Sequence, residues 1–198
     1  MADAVELLVE SNPMLSREQV LAKPSAVPAE AGVYGWWFDR SMPEIDDAQA
    51  ARRGEWRLLY VGISPKAPPR NGRPPSSQNL RTRVTYHYRG NAEGSTLRLT
   101  LGALLADELG IQLRRVGSGK RLTFTVQGEQ VLSNWMNDHA RVTCQRHPSP
   151  WEVESILIAR FDLPLNLDQN RANQAHQTVS AARGRARDQA RALPIESR

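Results

Sequence analysis

The sequence predicts a mixed α/β domain, a small sheet flanked by helices, and three observations lead there. Two short runs rich in aromatic and aliphatic residues, AGVYGWWF at 31–38 and WRLLYVG at 56–62, are bounded by turn residues as strands are. Further on, Leu97, Leu101, Leu104, Leu105 and Leu109 recur at helical spacing. From 111 to 126 the chain alternates on both sides of Gly117-Ser118-Gly119, which is a hairpin signal. A chain of 198 residues is near the size of one domain and can bury about 70% of its unfolded surface in a single core.

The elements follow in order. Ser16, with Gln19 three residues later, is a capping-box pattern that opens a short helix through REQVLAK, stopped by Pro24. The two strands come next, joined by an acidic, loop-like stretch at 42–54. Residues 65–78, PKAPPRNGRPPSSQ, hold five prolines and no acid, so an extended basic loop is expected. Asn79 is an N-cap candidate for a helix over 79–89 that ends at Gly90, and the leucine-spaced helix at 96–109 ends at Gly110. After the hairpin come a helix around EQVLSNWMNDH and a strand around RVTCQ. Ser149-Pro150-Trp151-Glu152 places serine at an N-cap, proline at the first helical position and glutamate at the third, a second capping box, for a helix at 151–161 that stops before Pro164. Residues 171–193 read as an alanine- and arginine-rich helix. The expected organisation is an N-terminal helical extension at 1–30, a central domain at 31–168 and a basic helical tail at 169–198.

Composition narrows the function classes. Apolar content of 40% and charge of 24% suit a soluble globular protein, and no apolar stretch approaches the roughly 18 residues of a membrane span. No signal peptide is read at the N-terminus, and a single cysteine, Cys144, cannot form an internal disulfide; a cytoplasmic protein is expected. The net charge of +5 is unevenly spread. Residues 1–30 carry five acids against two bases, 64–98 carry seven bases against one acid, and 171–198 carry six arginines against two acids. Clustered positive charge is the footprint of a phosphate-backbone binder. Lys66, Arg70, Arg73 and Arg81 in the first cluster, with Arg183, Arg187 and Arg191 recurring every four residues in the second, are the nucleic-acid-binding candidates. No phosphate-cradling Walker loop or GxGxxG appears, so no nucleotide cofactor is inferred. Cys144, His147 and nearby His139 are three weak zinc candidates without a second CxxC, and a structural role is preferred for them.

Gly32-Val33-Tyr34 on one strand is echoed by Tyr60-Val61-Gly62 on the next. Asn79-Leu80-x-x-Arg83 then opens a helix, and a distant glutamate-bearing helix is followed by Pro164-Leu165-Asn166. These five pieces, in this order, resemble the GIY-YIG nuclease family over residues 31–168. The resemblance implies a mostly antiparallel central sheet in which 31–38 and 56–62 are neighbours, with helices 79–89 and 151–161 packed on it. It places the family's two tyrosines on Tyr34 and Tyr60, its helix arginine on Arg83, and the histidine or tyrosine one turn later on His87. Its metal-binding glutamate falls on Glu154, twelve residues before Asn166. Glu152 is the rival, and its capping-box position already accounts for it.

Glu154 is unusual on its own terms. Trp151, Leu157 and Ile158 lie three and four positions away, so the carboxylate sits on an apolar stripe where a hard cation would stabilise it. A salt bridge to Arg83 is the alternative. Phosphodiester hydrolysis needs a positioned water, a base, a Lewis acid and a cation near the phosphate. The resemblance implies that Tyr34 or His87 helps take the water's proton, Tyr60 orients the water, Arg83 stabilises developing charge, and Glu154 holds one Mg²⁺ or Mn²⁺. A free tyrosine ionises near pH 10, so Tyr34 as base would need cationic help.

Three departures from the family pattern stand out: a long Tyr34–Tyr60 connection, the proline-rich insertion before Asn79, and a long stretch between His87 and Glu154. They leave substrate choice open. The sequence therefore points to a metal-dependent endonuclease on DNA, double-stranded before RNA, in repair, restriction or mobile-element defence. The alternative is a catalytically silent nucleic-acid-binding module of the same fold.

Overall fold

The computed structural model describes residues 2–68 and 76–196. Its elements are α1 (Ala2–Glu6), which runs into one π-helical turn at Leu7–Ser11, α2 (Arg17–Leu21), β1 (Gly32–Phe38), β2 (Arg52–Arg53), β3 (Trp56–Ser64), α3 (Leu80–Arg89), α4 (Thr96–Leu104) and α5 (Ala106–Leu109). They continue with β4 (Arg114–Val116), β5 (Arg121–Thr123), α6 (Thr125–His139), β6 (Ala140–Arg146), α7 (Pro150–Arg160) and α8 (His176–Ala192). Four strands form one antiparallel sheet in the order β2-β3-β1-β6, and β4 and β5 form the expected hairpin.

β1 is the central strand, and all seven of its residues are buried. Helices cover both faces, which explains why GVYGWWF is a continuous apolar run with no polar alternation. Tyr34, Trp36 and Phe38 face a cluster with Leu80, Val84 and Tyr88 of α3 and with leucines of α4 and α6. Val33 and Trp37 face a second cluster with Val153, Leu157 and Ile158 of α7 and with Ala4, Val5, Leu8 and Val9 at the N-terminus. The paired apolar positions in ADAVELLVES carry the signal for that N-terminal segment.

β3 carries a bulge. Trp36 pairs with Tyr60 but Trp37 pairs with Leu58, so Leu59 is the extra residue. Leu59 and Tyr60 consequently both pack against the cluster that holds Tyr34, while Leu58 and Val61 join the opposite one. Without the bulge, strand alternation would turn Tyr60 away from the Leu59 side.

Capping chemistry sets several helix starts. Ser16 and Gln19 form the reciprocal box, with the Gln19 amide donating to Ser16 Oγ at 3.3 Å and the Ser16 amide donating to Gln19 Oε1 at 2.9 Å. Asn79 does the same with Thr82 at 3.0 and 3.1 Å. The box expected at α7 does not form. Pro150 occupies the first turn, but Ser149 makes no side-chain cap; its amide donates to His147 Nδ1 at 3.1 Å, and that donor is the one Glu152 would have needed. Glu152 is exposed to solvent instead.

α8 packs along α4, burying Val179, Ala182 and Ala190. Among the described residues, no helix is long and apolar enough to cross a membrane.

Candidate active site

A cleft of about 730 Å³ opens at the end of the sheet where β1 begins and β3 ends. Tyr34 from β1, Tyr60 from β3, Arg83 from α3, Glu154 from α7 and Asn166 from the loop after α7 all line it. α3 and α7 cover opposite faces of the sheet, so the cleft is reached from both sides of its end. Of the basic candidates, Lys66 and Arg183 also line it. Arg81, Arg187 and Arg191 do not: Arg81 Nε donates to the Val27 carbonyl at 2.8 Å, and Arg191 pairs with Asp188 at 3.1 Å. Arg70 and Arg73 lie outside the described residues.

The echoing glycine has a steric cause. Gly62 is paired with Tyr34, whose ring lies across it; a Cβ at residue 62 would come within 2.5 Å of Tyr34 Oη and 2.7 Å of its Cζ. Tyr34 reaches the cleft because its cross-strand neighbour has no side chain. Tyr60 is two residues along the same strand, a diagonal neighbour on the same face.

Asn166 holds this strand in place. The Val61 amide donates to Asn166 Oδ1 and Asn166 Nδ2 donates to the Val61 carbonyl, both at 2.9 Å. The two groups of the amide are thus taken up by the backbone between Tyr60 and Gly62, and the Leu165 amide adds a bond to the Leu59 carbonyl at 3.1 Å.

His87 is completely buried and sits behind Tyr34, off the cleft wall. Its Nε2 is 2.8 Å from Tyr34 Oη and its Nδ1 2.7 Å from Ser95 Oγ. Burial, with Arg83 and Arg98 nearby, holds its pKa well below the ordinary histidine value, so the ring is neutral. Arg83 keeps its guanidinium in the cleft by donating from Nη1 to the Gly94 carbonyl at 2.9 Å.

Both cleft tyrosines are pushed above the usual phenol pKa by burial. For Tyr34 the neighbouring Tyr60 adds to this and Arg83 opposes it. For Tyr60 the Thr96 hydroxyl and Arg83 oppose it. Glu154 is raised to about 7, by burial first and by Asp168 second, with Lys66 pulling the other way. The alternative salt bridge to Arg83 is absent: among the described residues nothing pairs with Glu154. Glu154 and Asp168 both line the cleft and offer oxygen ligands of the kind a hard divalent cation takes, at a site whose glutamate otherwise favours a proton, although among the described residues no group of three or more His, Cys, Asp or Glu side chains is placed to hold a metal ion. Glu154, with Asp168 beside it, could hold that cation.

Asp168 was not among the sequence candidates. It follows Asn166 by two positions, and a search for a second carboxylate near the Pro-Leu-Asn turn finds it. Ser95 carries no such signal, because only the fold brings it to His87.

A family model described as the GIY-YIG catalytic domain matches residues 32–185. No curated protein and no solved structure matches the chain significantly.

Proposed function

The chain belongs to the GIY-YIG family, and on that premise we propose that it is a divalent-metal-dependent endonuclease that hydrolyses phosphodiester bonds in DNA, in a repair, restriction or mobile-element defence setting. The observation that carries this is the convergence of Tyr34, Tyr60, Arg83 and Glu154 from four separate elements on one cleft. A shared packing role does not require four polar side chains to meet at one solvent-facing point.

The residues divide the work. Arg83, fixed through Gly94, presents a permanent positive charge to the phosphate and its developing transition-state charge. Lys66 and Arg183 supply further cationic contacts along the cleft wall. Tyr60 orients the attacking water, and Tyr34, entering the step as the phenolate, takes its proton. Burial opposes ionisation of both phenols, so that transfer depends on the hydrogen-bond donors around Tyr34 Oη. Mg²⁺ or Mn²⁺ held at Glu154 would supply Lewis acidity for the charge that builds on the phosphate.

The test is a supercoiled-plasmid nicking assay with Mg²⁺, Mn²⁺ or EDTA, run beside filter binding of duplex DNA. Metal-dependent nicking is expected. Binding without nicking would select the silent binding module, and neither binding nor nicking on duplex DNA would overturn the DNA assignment.

A further inference from the structure

A buried chain of side chains runs inward from the cleft through Tyr34, His87 and Ser95, and its hydrogen-bond inventory closes in only one way. Ser95 is the N-cap of α4, and its Oγ accepts the Arg98 amide at 3.1 Å. Among the described residues its one other hydrogen-bond partner is His87 Nδ1, at 2.7 Å. Ser95 and His87 are both fully buried. If Nδ1 carried the imidazole proton, Nδ1–H would donate to Ser95, and the serine's own proton would be left buried without an acceptor, which is costly. If Nδ1 is bare, Ser95 O–H donates to it while still accepting from Arg98. Nε2–H then donates to Tyr34 Oη, 2.8 Å away, and the Tyr34 proton turns to the cleft that Tyr34 lines.

We propose that Ser95 locks His87 in the Nε2–H tautomer, which makes His87 a hydrogen-bond donor to Tyr34 Oη and a positioning residue. In this arrangement His87 cannot accept a proton from Tyr34. It acts with Arg83 to favour the phenolate form of Tyr34, and the wider network holds it still. Arg98 donates to the His87 carbonyl at 3.1 Å and, through Nε and Nη2, to Glu129 Oε2 at 2.8 and 2.7 Å. Glu129 Oε1 in turn accepts the amides of Ala92 and Phe124 at 2.8 and 3.1 Å. The long stretch after His87 thus contributes directly to the placement of the tyrosine.

The tautomer itself is independent of any activity, while its effect on turnover rests on the nuclease proposal. Two measurements keep these apart. In uniformly ¹⁵N-labelled full-length protein, the imidazole nitrogens of His87, assigned with His87→Gln, should show a pyridine-type Nδ1 and a pyrrole-type Nε2. The reverse pattern overturns the proposal whether or not the protein cleaves DNA.

Ser95→Asn and Ser95→Asp then form a matched pair. Both are good N-caps and nearly the same shape, but the asparagine amide can donate to Nδ1 while the aspartate can only accept. Ser95→Asn should keep the wild-type ¹⁵N pattern and most of the single-turnover cleavage rate with Mg²⁺. Ser95→Asp should shift the proton to Nδ1 and cut that rate on the order of 10²–10³-fold, as loss of a preorganised donor does. Equal rates in two folded variants with opposite tautomers would overturn the role in turnover. If either variant melts early, the wild-type spectrum alone decides the tautomer.

Discussion

Glu154 and Glu152 stand on one helix and differ in what surrounds them. Glu154→Gln keeps shape and volume but removes the charge that would hold a cation, so nicking should fall by orders of magnitude while duplex binding persists or tightens. Glu152→Gln should leave both unchanged, since Glu152 is exposed and caps nothing. A nicking assay on both variants, with thermal melts to confirm folding, checks this; equal losses would show that helix stability had been mistaken for catalysis. The pKa of Glu154 adds a pH prediction. Its value is raised from 4.5 to about 7 in the folded chain, so the contribution of this group to stability is fully present below pH 4.5 and is lost as pH rises through 7. In EDTA, the melting temperature of the wild type should therefore fall between pH 5 and 8 relative to Glu154→Gln. Mg²⁺ should restore more stability at pH 8 than at pH 5, because it competes with a proton.

At the scale of single elements, the tightest constraint is where β1 and β3 cross at Tyr34 and Gly62. Gly62→Ala would drive a methyl into the phenol ring, at a cost of about 1–3 kcal/mol for overpacking, and would displace the Tyr34 hydroxyl from His87. Chemical denaturation should show that loss, and nicking should fall by more than the loss of folded protein accounts for. Much of this was legible in the sequence. The two strands, α3 with its Asn79 cap, the hairpin turn at Gly117–Gly119 and the Gly110 stop all rest on local chemistry that needs no tertiary partner. The missing box at Ser149 shows where local chemistry gives way: His147, two residues back, reaches the amide first. The bulge at Leu59 was illegible, because RLLYVGIS has the same alternation with or without it.

Across the whole molecule, the basic charge divides by position in the fold. The every-fourth-residue spacing of Arg183, Arg187 and Arg191 treats them as equivalent, but α8 lies on α4 and turns Arg183 into the cleft, while Arg191 is exposed and paired with Asp188. Arg183→Ala should weaken duplex binding and lower the slope of log affinity against log salt by about 0.9, the value of one phosphate contact. Arg191→Ala should change neither, and equal effects would restore the picture of a uniform ridge. Cleft-lining residues separated by up to 132 positions, from Tyr34 to Asn166, were legible together because their order resembles a known pattern. Ser95 and the Arg98–Glu129 pair were not, since each matters only through what the fold sets beside it.

The backbone bonds that Asn166 makes to Val61 have a consequence beyond the cleft. β2 is only two residues long and pairs with the start of β3, so the rest of that strand would otherwise present unpaired donors and acceptors on the sheet's rim. Leu165 and Asn166 occupy that rim, and on the far side Leu15 exchanges two bonds with Val142 of β6, at 2.8 and 3.1 Å. Among the described residues, both rims are thus met partway along by a short stretch of loop in place of a further strand. The chain thereby guards itself against edge-to-edge aggregation, a protection that a sheet rich in tryptophan and valine needs wherever it lies near concentrated copies of itself.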